Sequence, residues 1–319
     1  MNSTITTDVE KCKKLLREGQ LVAIPTETVY GLAANAFNNY AVNRIFEMKG
    51  RPLFNPLIVH IHSIAQLQQL AITIPNKAIQ LAKAFWPGAL TLVLPKNHTV
   101  PDIITAGKPT VAIRMPNHGL TLELLEGLNF PLAAPSANPF TRVSPTSAAH
   151  VAHYFGNRIP AILDGGACQI GLESTIVGFE GEQTVVYRKG GISIEAIESI
   201  VGKVKLITSN ETAPQAPGML LKHYSPNTPL VLTDVLVETI KEQQHLNLGI
   251  LTFQTEFNIE NATVRTLSKQ GDLEEAAKKL FATLHELDQL GLDLIIAEKF
   301  PDKDMGISIN DRLLRAVTT

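Results

Sequence analysis

Cysteine is nearly absent. Cys12 and Cys168 are the only two in 319 residues and form no C-x-x-C pair, so neither a disulfide framework nor a cysteine-built zinc site is expected. No apolar run approaches the ~18 residues of a membrane-spanning helix. The segment Met1 to Asp8 lacks a basic stretch followed by an apolar one, so no secretory signal is expected and the expected compartment is the cytoplasm, away from the membrane. A strong charge of one sign is missing too. The net charge is -2, with 18 Lys and Arg against 14 Asp and Glu in residues 1–205 and 10 against 16 thereafter. That balance is far from the dense basic face of a dedicated nucleic-acid binder, and any RNA contact would be local, weak and salt-sensitive.

The familiar catalytic fingerprints are also missing. There is no G-x-x-x-x-G-K-[ST] and no G-x-G-x-x-G, and the stretch from Gly165 and Gly166 to Gly171 lacks the lysine and hydroxyl of a phosphate loop. No G-x-S-x-G elbow surrounds Ser136 or Ser174, which argues against a serine hydrolase. His60 and His62 share a strand face and His150 and His153 a helical spacing, but no third ligand is in view, so no metal site is expected.

What is present is an ordinary globular composition, 45% hydrophobic with 19 Pro and 21 Gly, in a chain about two domains long at ~150 residues per domain. Asp8 is placed to cap a helix reaching Arg17, stopped by Gly19. A strand at 21–24 is ended by Pro25, and the loop Thr26 to Gly31 leads to a helix over 39–48. Further strands are expected at 57–61, 90–94, 110–114, 131–134, 161–163, 174–179 and 184–187. Helical stretches at 63–70, 76–85, 119–126 and 145–155 separate them. A Pro-rich stretch over 208–229, with Pro214, Pro217, Pro226 and Pro229, reads as a semi-rigid linker. Beyond it, strands at 230–233, 248–253 and 292–297 and a helix over 272–290 predict a smaller parallel, Rossmann-like α/β domain. The expected organisation is thus a catalytic α/β domain over 1–207, a linker or lid over 208–229 and a second domain over 230–319.

Polar residues cluster in short loops at strand ends, where α/β proteins place ligands. Lys49-Gly50-Arg51 followed by Asn55 sets two cations and an amide around a glycine; this suits a triphosphate and equally a solvated basic turn. His60 lies among β-branched residues, as a core histidine would. Arg114 leaves an apolar strand just before Pro116 and needs an anion or carbonyls as partner if it points inward. Ala134-Pro135-Ser136-Ala137-Asn138 and Glu173-Ser174-Thr175 put small hydroxyl and amide groups beside strands, fit for a zwitterion or phosphate, or for turn chemistry alone.

These motifs, with Pro25-Thr26-Glu27-Thr28-Val29-Tyr30-Gly31 and Asn55-Pro56-Leu57, occur in the order of the YrdC family, which the chain resembles. Pro217-Gly218-Met219, His223-Tyr224-Ser225-Pro226 and the tail Ile309-Asn310-Asp311-Arg312-Leu313 resemble the long, two-domain form. The resemblance implies a twisted mixed sheet with helices, and an L-threonylcarbamoyladenylate synthase that joins L-threonine, bicarbonate and ATP into threonylcarbamoyl-AMP with release of pyrophosphate. It implies Mg2+ as companion of the ATP, and a downstream transferase complex that uses the product to modify adenosine in tRNA. Residue by residue it implies that Thr28, His60, Arg114, Ala134 and Ser174 surround threonine. Arg51, Asn55, Thr110, Ser136, Ser144, Arg188 and Tyr224 would hold ATP, and Lys49 and Arg51 would carry catalysis. The sequence departs from the family at Gly178, where aspartate is common, at Ala216, where serine is common, and over Asn138 to Arg142. Two other readings stand beside it. A related carbamoyl-transfer domain in hydrogenase maturation comes with cysteine-rich fingers that two cysteines cannot build, and an RNA-binding surface without catalysis is disfavoured by the mild charge.

Overall fold

The structure is a computed structural model that describes residues 4–207, 217 and 223–318. Among them, no helix is long and apolar enough to cross a membrane. Eleven strands form one mixed sheet and four form a second, wholly parallel one.

Local chemistry sets the elements of the first sheet. Asp8 accepts a hydrogen bond from the Lys11 amide at 2.9 Å and opens helix Val9–Arg17, whose Val9, Cys12 and Leu16 are buried. Asn38 caps helix Asn39–Lys49 in the same way, and Gly50, at φ 63°, ends it in the left-handed region. That turn matters for the site: the chain reverses between Lys49 and Arg51, so both cations leave the helix end toward the sheet, where both are buried.

The centre of the large sheet runs through Val22–Ile24, Gly31–Asn35, Leu132–Ala133, Ile58–His60, Thr110–Arg114, Leu90–Pro95, Thr175–Glu180 and Gln183–Arg188. Parallel pairing sets His60 opposite Arg114, and antiparallel pairing sets Thr91 opposite Arg114 as well. The polar residues at 60, 91, 114 and 174–175 are therefore brought side by side along one end of the sheet by register alone.

The second sheet has the order Leu230–Thr233, Leu294–Glu298, Leu248–Thr252, Ala262–Thr266, every pair parallel. Helix Leu273–Asp288, capped by Asp272, and helix Asp304–Ala316 cover it. Its apolar core does not stop at its own elements. Val29, Val143 and Leu172 from the large sheet's loops and Tyr224 pack into the same cluster as Phe281, Leu284 and Leu313. Each such buried side chain contributes about 1.5–3 kcal/mol relative to exposure, so this seam is a substantial attachment. Gly171 sits on it at φ 75°, and a Cβ there would lie 2.4 Å from the Lys278 carbonyl oxygen.

The mixed α/β architecture and the parallel second sheet agree with the sequence expectation. Several elements go beyond it. Strand Gly31–Asn35 follows directly on the loop that ends at Gly31, yet its Gly-Leu-Ala-Ala-Asn run has little β preference and is extended because strands pair with it on both sides. Helix Asp304–Ala316 lacks a side-chain cap, and Asp304 itself has φ 45°, so no start signal marks it. The expected linker over 208–229 falls largely on 208–216 and 218–222, which lie outside the described residues, as do Ala216, Gly218 and Met219.

Candidate active site

A cleft opens where the ends of the central strands meet the segment leading to the second sheet. Its walls include Thr28, Arg51, His60, Arg114, Ala134, Ser136, Ser174, Arg188 and Tyr224, nine of the residues singled out from sequence. Thr26, Glu173, Pro217 and His223 line it as well.

One end is a small polar pocket. Thr26 and Thr28 share a hydroxyl hydrogen bond of 2.8 Å, and Ser174 Oγ lies 2.7 Å from Thr91 Oγ1. Arg114 has the inward anion it requires: its Nη2 lies 2.7 Å from Glu27 Oε1, both side chains buried, and its Nε donates to the Gly88 carbonyl at 3.2 Å. His60 Nδ1 has no hydrogen-bond partner among the described residues. Burial first, then the Arg114 charge, pushes the His60 imidazole down to about 3, so it is neutral at physiological pH. A neutral ring of that kind is a weak base, suited to hydrogen bonding rather than proton abstraction. Ala134 forms the floor: a Cβ on Gly31 would approach Ala134 Cβ to 3.2 Å, so the glycine lets the two segments meet.

The other end is cationic. Arg51 donates from Nε to the Asn55 carbonyl at 3.2 Å and from Nη2 to the Pro56 carbonyl at 2.8 Å. Arg188 donates to the Ser174 carbonyl and, at 3.1 Å, to Ser174 Oγ. Lys49 stands behind the wall and donates to the Ser136 carbonyl at 2.6 Å and to the Asn138 carbonyl. These three cations are buried and, among the described residues, their partners are carbonyl and hydroxyl oxygens rather than carboxylates. The consequence is visible in their acidity. Burial and the neighbouring Arg188 bring Arg51 down to about 9, and burial with Arg51 lowers Lys49 well below its ordinary value. An anion bound here would relieve all three.

Tyr224 closes this end. It is buried at φ 66°, strained for a non-glycine residue, and its ring lies edge-on to His223 and stacks on Phe281 at 5.5 Å. Its turn is held by the Ser225 amide donating to the Thr141 carbonyl at 2.8 Å and by Arg142 donating to the Pro226 carbonyl at 3.1 Å. The unusual stretch Asn138 to Arg142 thus anchors the segment that covers the cleft. Tyr224 Oη has no partner among the described residues.

Four sequence candidates do not line the cleft. Lys49 acts from behind its wall. Asn55 is fully buried with neither amide atom partnered among the described residues. Thr110 begins the strand that Arg114 ends, opposite Pro95. Ser144 is buried and donates its hydroxyl to Glu173 Oε1 at 2.6 Å. Conversely, sequence reasoning passed over Glu27 and Glu173, which lie inside quoted motifs but look like spacers, and Arg312. The signal for both acids was their place beside an inward arginine or hydroxyl; for Arg312 it was its place in the quoted tail Ile309 to Leu313, which gives it no role by itself. Among the described residues, no group of three His, Cys, Asp or Glu side chains could hold a metal ion, and Glu173 in the cleft wall and Glu27 behind Arg114 are each already paired with arginine.

Comparison with known proteins fits this geometry. The family model described as Telomere recombination matches residues 14–190, and the one described as Threonylcarbamoyl-AMP synthase, C-terminal domain, matches residues 192–318. A threonylcarbamoyl-AMP synthase of Bacillus subtilis is 43% identical over 98% of this chain and 94% of its own. The crystal structure of Pyrococcus abyssi Sua5 complexed with L-threonine superposes with a TM-score of 0.90 at 42% identity, covering 97% of this chain and 93% of that one. A putative threonylcarbamoyl-AMP synthase of Mycobacterium tuberculosis is 35% identical over only 59% of this chain, although that span is 86% of its own length.

Proposed function

The chain belongs to the YrdC family of threonylcarbamoyl-AMP synthases in its two-domain form, and we propose that the polar end of the cleft binds L-threonine while the cationic end binds the phosphates of ATP. The reaction class follows from the family: an AMP-transferring enzyme, a nucleotidyltransferase, whose product is threonylcarbamoyl-AMP.

The observation that carries the assignment of ends is the trio Lys49, Arg51 and Arg188, buried with neutral partners beside the uncharged hydroxyl pocket of Thr28 and Ser174. In the proposed chemistry the neutral threonine amine attacks carbon dioxide formed from bicarbonate and loses a proton, giving a carbamate. A carbamate oxygen then attacks the α-phosphorus in line, and the bond to the bridging oxygen of pyrophosphate breaks. No covalent protein intermediate is needed. Arg114 would meet the threonine carboxylate with the part of its guanidinium not facing Glu27, and His60 and Ser174 would meet its polar groups. Lys49 and Arg51 would hold charge on the phosphates, with Ser136, Ser144, Arg188 and Tyr224 around them, Asn55 and Thr110 serving this end from outside the cleft wall. Mg2+ would arrive as part of the substrate, since among the described residues no group of three His, Cys, Asp or Glu side chains could hold it. Burial of the product away from water protects a labile mixed anhydride until a tRNA-modifying transferase takes it.

The test is isotopic. The full-length protein with ATP, L-threonine and 13C-bicarbonate should form threonylcarbamoyl-AMP carrying the label on its carbonyl carbon; AMP alone, or unlabelled product, would refute the chemistry.

A further inference from the structure

Helix Asp304–Ala316 belongs to the second sheet, yet its polar side chains reach into the wall of the cleft. Arg312 is fully buried; its Nε donates to Glu173 Oε2 at 2.8 Å and its Nη2 to the Lys189 carbonyl at 2.7 Å, while Nη1 pairs with Asp311 at 2.6 Å. Its guanidinium also lies 5.1 Å from the centre of the Tyr224 ring. One turn earlier, Ser308 Oγ donates to the Gly190 carbonyl at 3.1 Å. At that glycine a Cβ would be 2.3 Å from the Glu173 carbonyl oxygen, so residues 173–174 and 188–190 are in direct contact where the helix grips them.

The groups held bond to or adjoin two of the proposed phosphate ligands, Ser144 and Arg188. Glu173 precedes Ser174 and accepts the Ser144 hydroxyl on its other oxygen at 2.6 Å. Lys189 follows Arg188, whose guanidinium is bonded to Ser174. Glu173 is also an anion at the edge of a site that must take a polyphosphate. Burial alone would raise its carboxyl, but Arg312, Arg188 and the Ser144 hydrogen bond outweigh burial and hold it below the usual carboxylate value, so it stays charged. Something must cancel that charge locally, or it opposes the nucleotide.

Resting on the assignment of the cationic end to ATP, we infer that Arg312 is a positioning residue for the nucleotide: from the C-terminal helix it neutralises Glu173 and fixes Ser144 and Arg188 in place, so the second domain completes the ATP end of the cleft. Arg312 bonds to none of the proposed threonine residues Thr28, His60, Arg114 and Ala134, and Ser174 adjoins it only through Glu173.

The experiment measures steady-state kinetics and thermal unfolding of full-length Arg312→Gln, Arg312→Lys and the double variant Glu173→Gln/Arg312→Gln. Arg312→Gln should raise KM for ATP by about tenfold or more while KM for threonine stays within about twofold. Arg312→Lys should recover part of that loss, because a lysine restores the charge without the planar fork. The double variant removes both charges, relieves the uncompensated buried carboxylate and should regain stability, yet keep a raised KM for ATP because Ser144 and Arg188 are no longer held. A folded Arg312→Gln protein with unchanged KM for ATP, or with both KM values raised by the same factor, would overturn the inference. Loss of the fold in all three variants would also overturn it, making Arg312 a support of the fold and not of the site. If the wild-type protein itself shows no threonine-dependent pyrophosphate release, the failure lies with the assignment of function and not with Arg312.

Discussion

The polar end of the cleft is assembled wholly from the large sheet and its loops: Thr28, His60, Arg114 and Ser174 line it and come from its strand ends, and Glu27 backs Arg114. The cationic end is bounded by Arg51 and Arg188 from the same sheet but closed by Tyr224 and backed by Arg312 from beyond residue 222. The difference follows from charge. Arg114 has its own carboxylate within one domain, so that end is electrostatically complete. Lys49, Arg51 and Arg188 are like charges among carbonyls, a layout that the proposed binding of the ATP phosphates would compensate.

The largest effect is expected at the self-contained end. Glu27→Ala leaves Arg114 buried without its anion and should cost about 3–5 kcal/mol of stability, read as a large fall in Tm. A shift within experimental error would mean that the pair is not the keystone of that end. At the cationic end, Lys49→Ala should keep the fold but lose about 2–4 kcal/mol in kcat/KM, because a preorganised charge is removed. Near-wild-type turnover would reduce Lys49 to a support of the 136–138 loop, with no role toward the phosphates. Substrate preference sharpens the same contrast: with a hydroxyl-reading pocket, serine should turn over more slowly than threonine, and valine about 10²-fold more slowly or worse. Equal turnover of threonine and valine would remove the hydroxyl-reading role of Ser174 and His60.

The seam between the two regions predicts a pH dependence. His150 and His285 stack with ring centres 4.0 Å apart across it, and His285 Nε2 lies 3.1 Å from the Ser144 carbonyl. Burial lowers His150 to about 4 and His285 to about 3, the neighbouring histidines adding to the effect. Both are therefore neutral when folded, whereas the unfolded chain takes up protons below about pH 6.5. Their contribution to stability is full above that value and is lost as pH falls toward 4 and 3. Thermal melts from pH 7 to pH 4 should show Tm falling, with a shallower slope in His285→Gln; an unchanged slope would free the seam of this role. The smallest effect is the control far from the cleft: Asp8→Ala removes a helix cap and should cost about 1 kcal/mol without altering kinetics.

The architecture was legible where periodicity and caps agree. Asp8 with its helix, the helix expected over 39–48, and the runs at 90–94 and 110–114 carry their structure locally. Gly31–Asn35 and Asp304–Ala316 do not, since partners on both sides extend the one and a buried arginine anchors the other. The site was legible through motifs that keep their residues contiguous, which is why nine candidates share one cleft. Arg312 was not, because its ion pair with Glu173 spans 139 residues and two sheets.

If the two ends of the cleft bind different substrates, single variants at each end must separate the two KM values. KM for ATP and for threonine would be measured in Arg51→Ala and in His60→Asn. A crossed pattern is predicted, with Arg51→Ala raising mainly KM for ATP and His60→Asn mainly KM for threonine. If each variant raises both KM values by the same factor, or if the pattern is reversed, the assignment of the two ends is wrong.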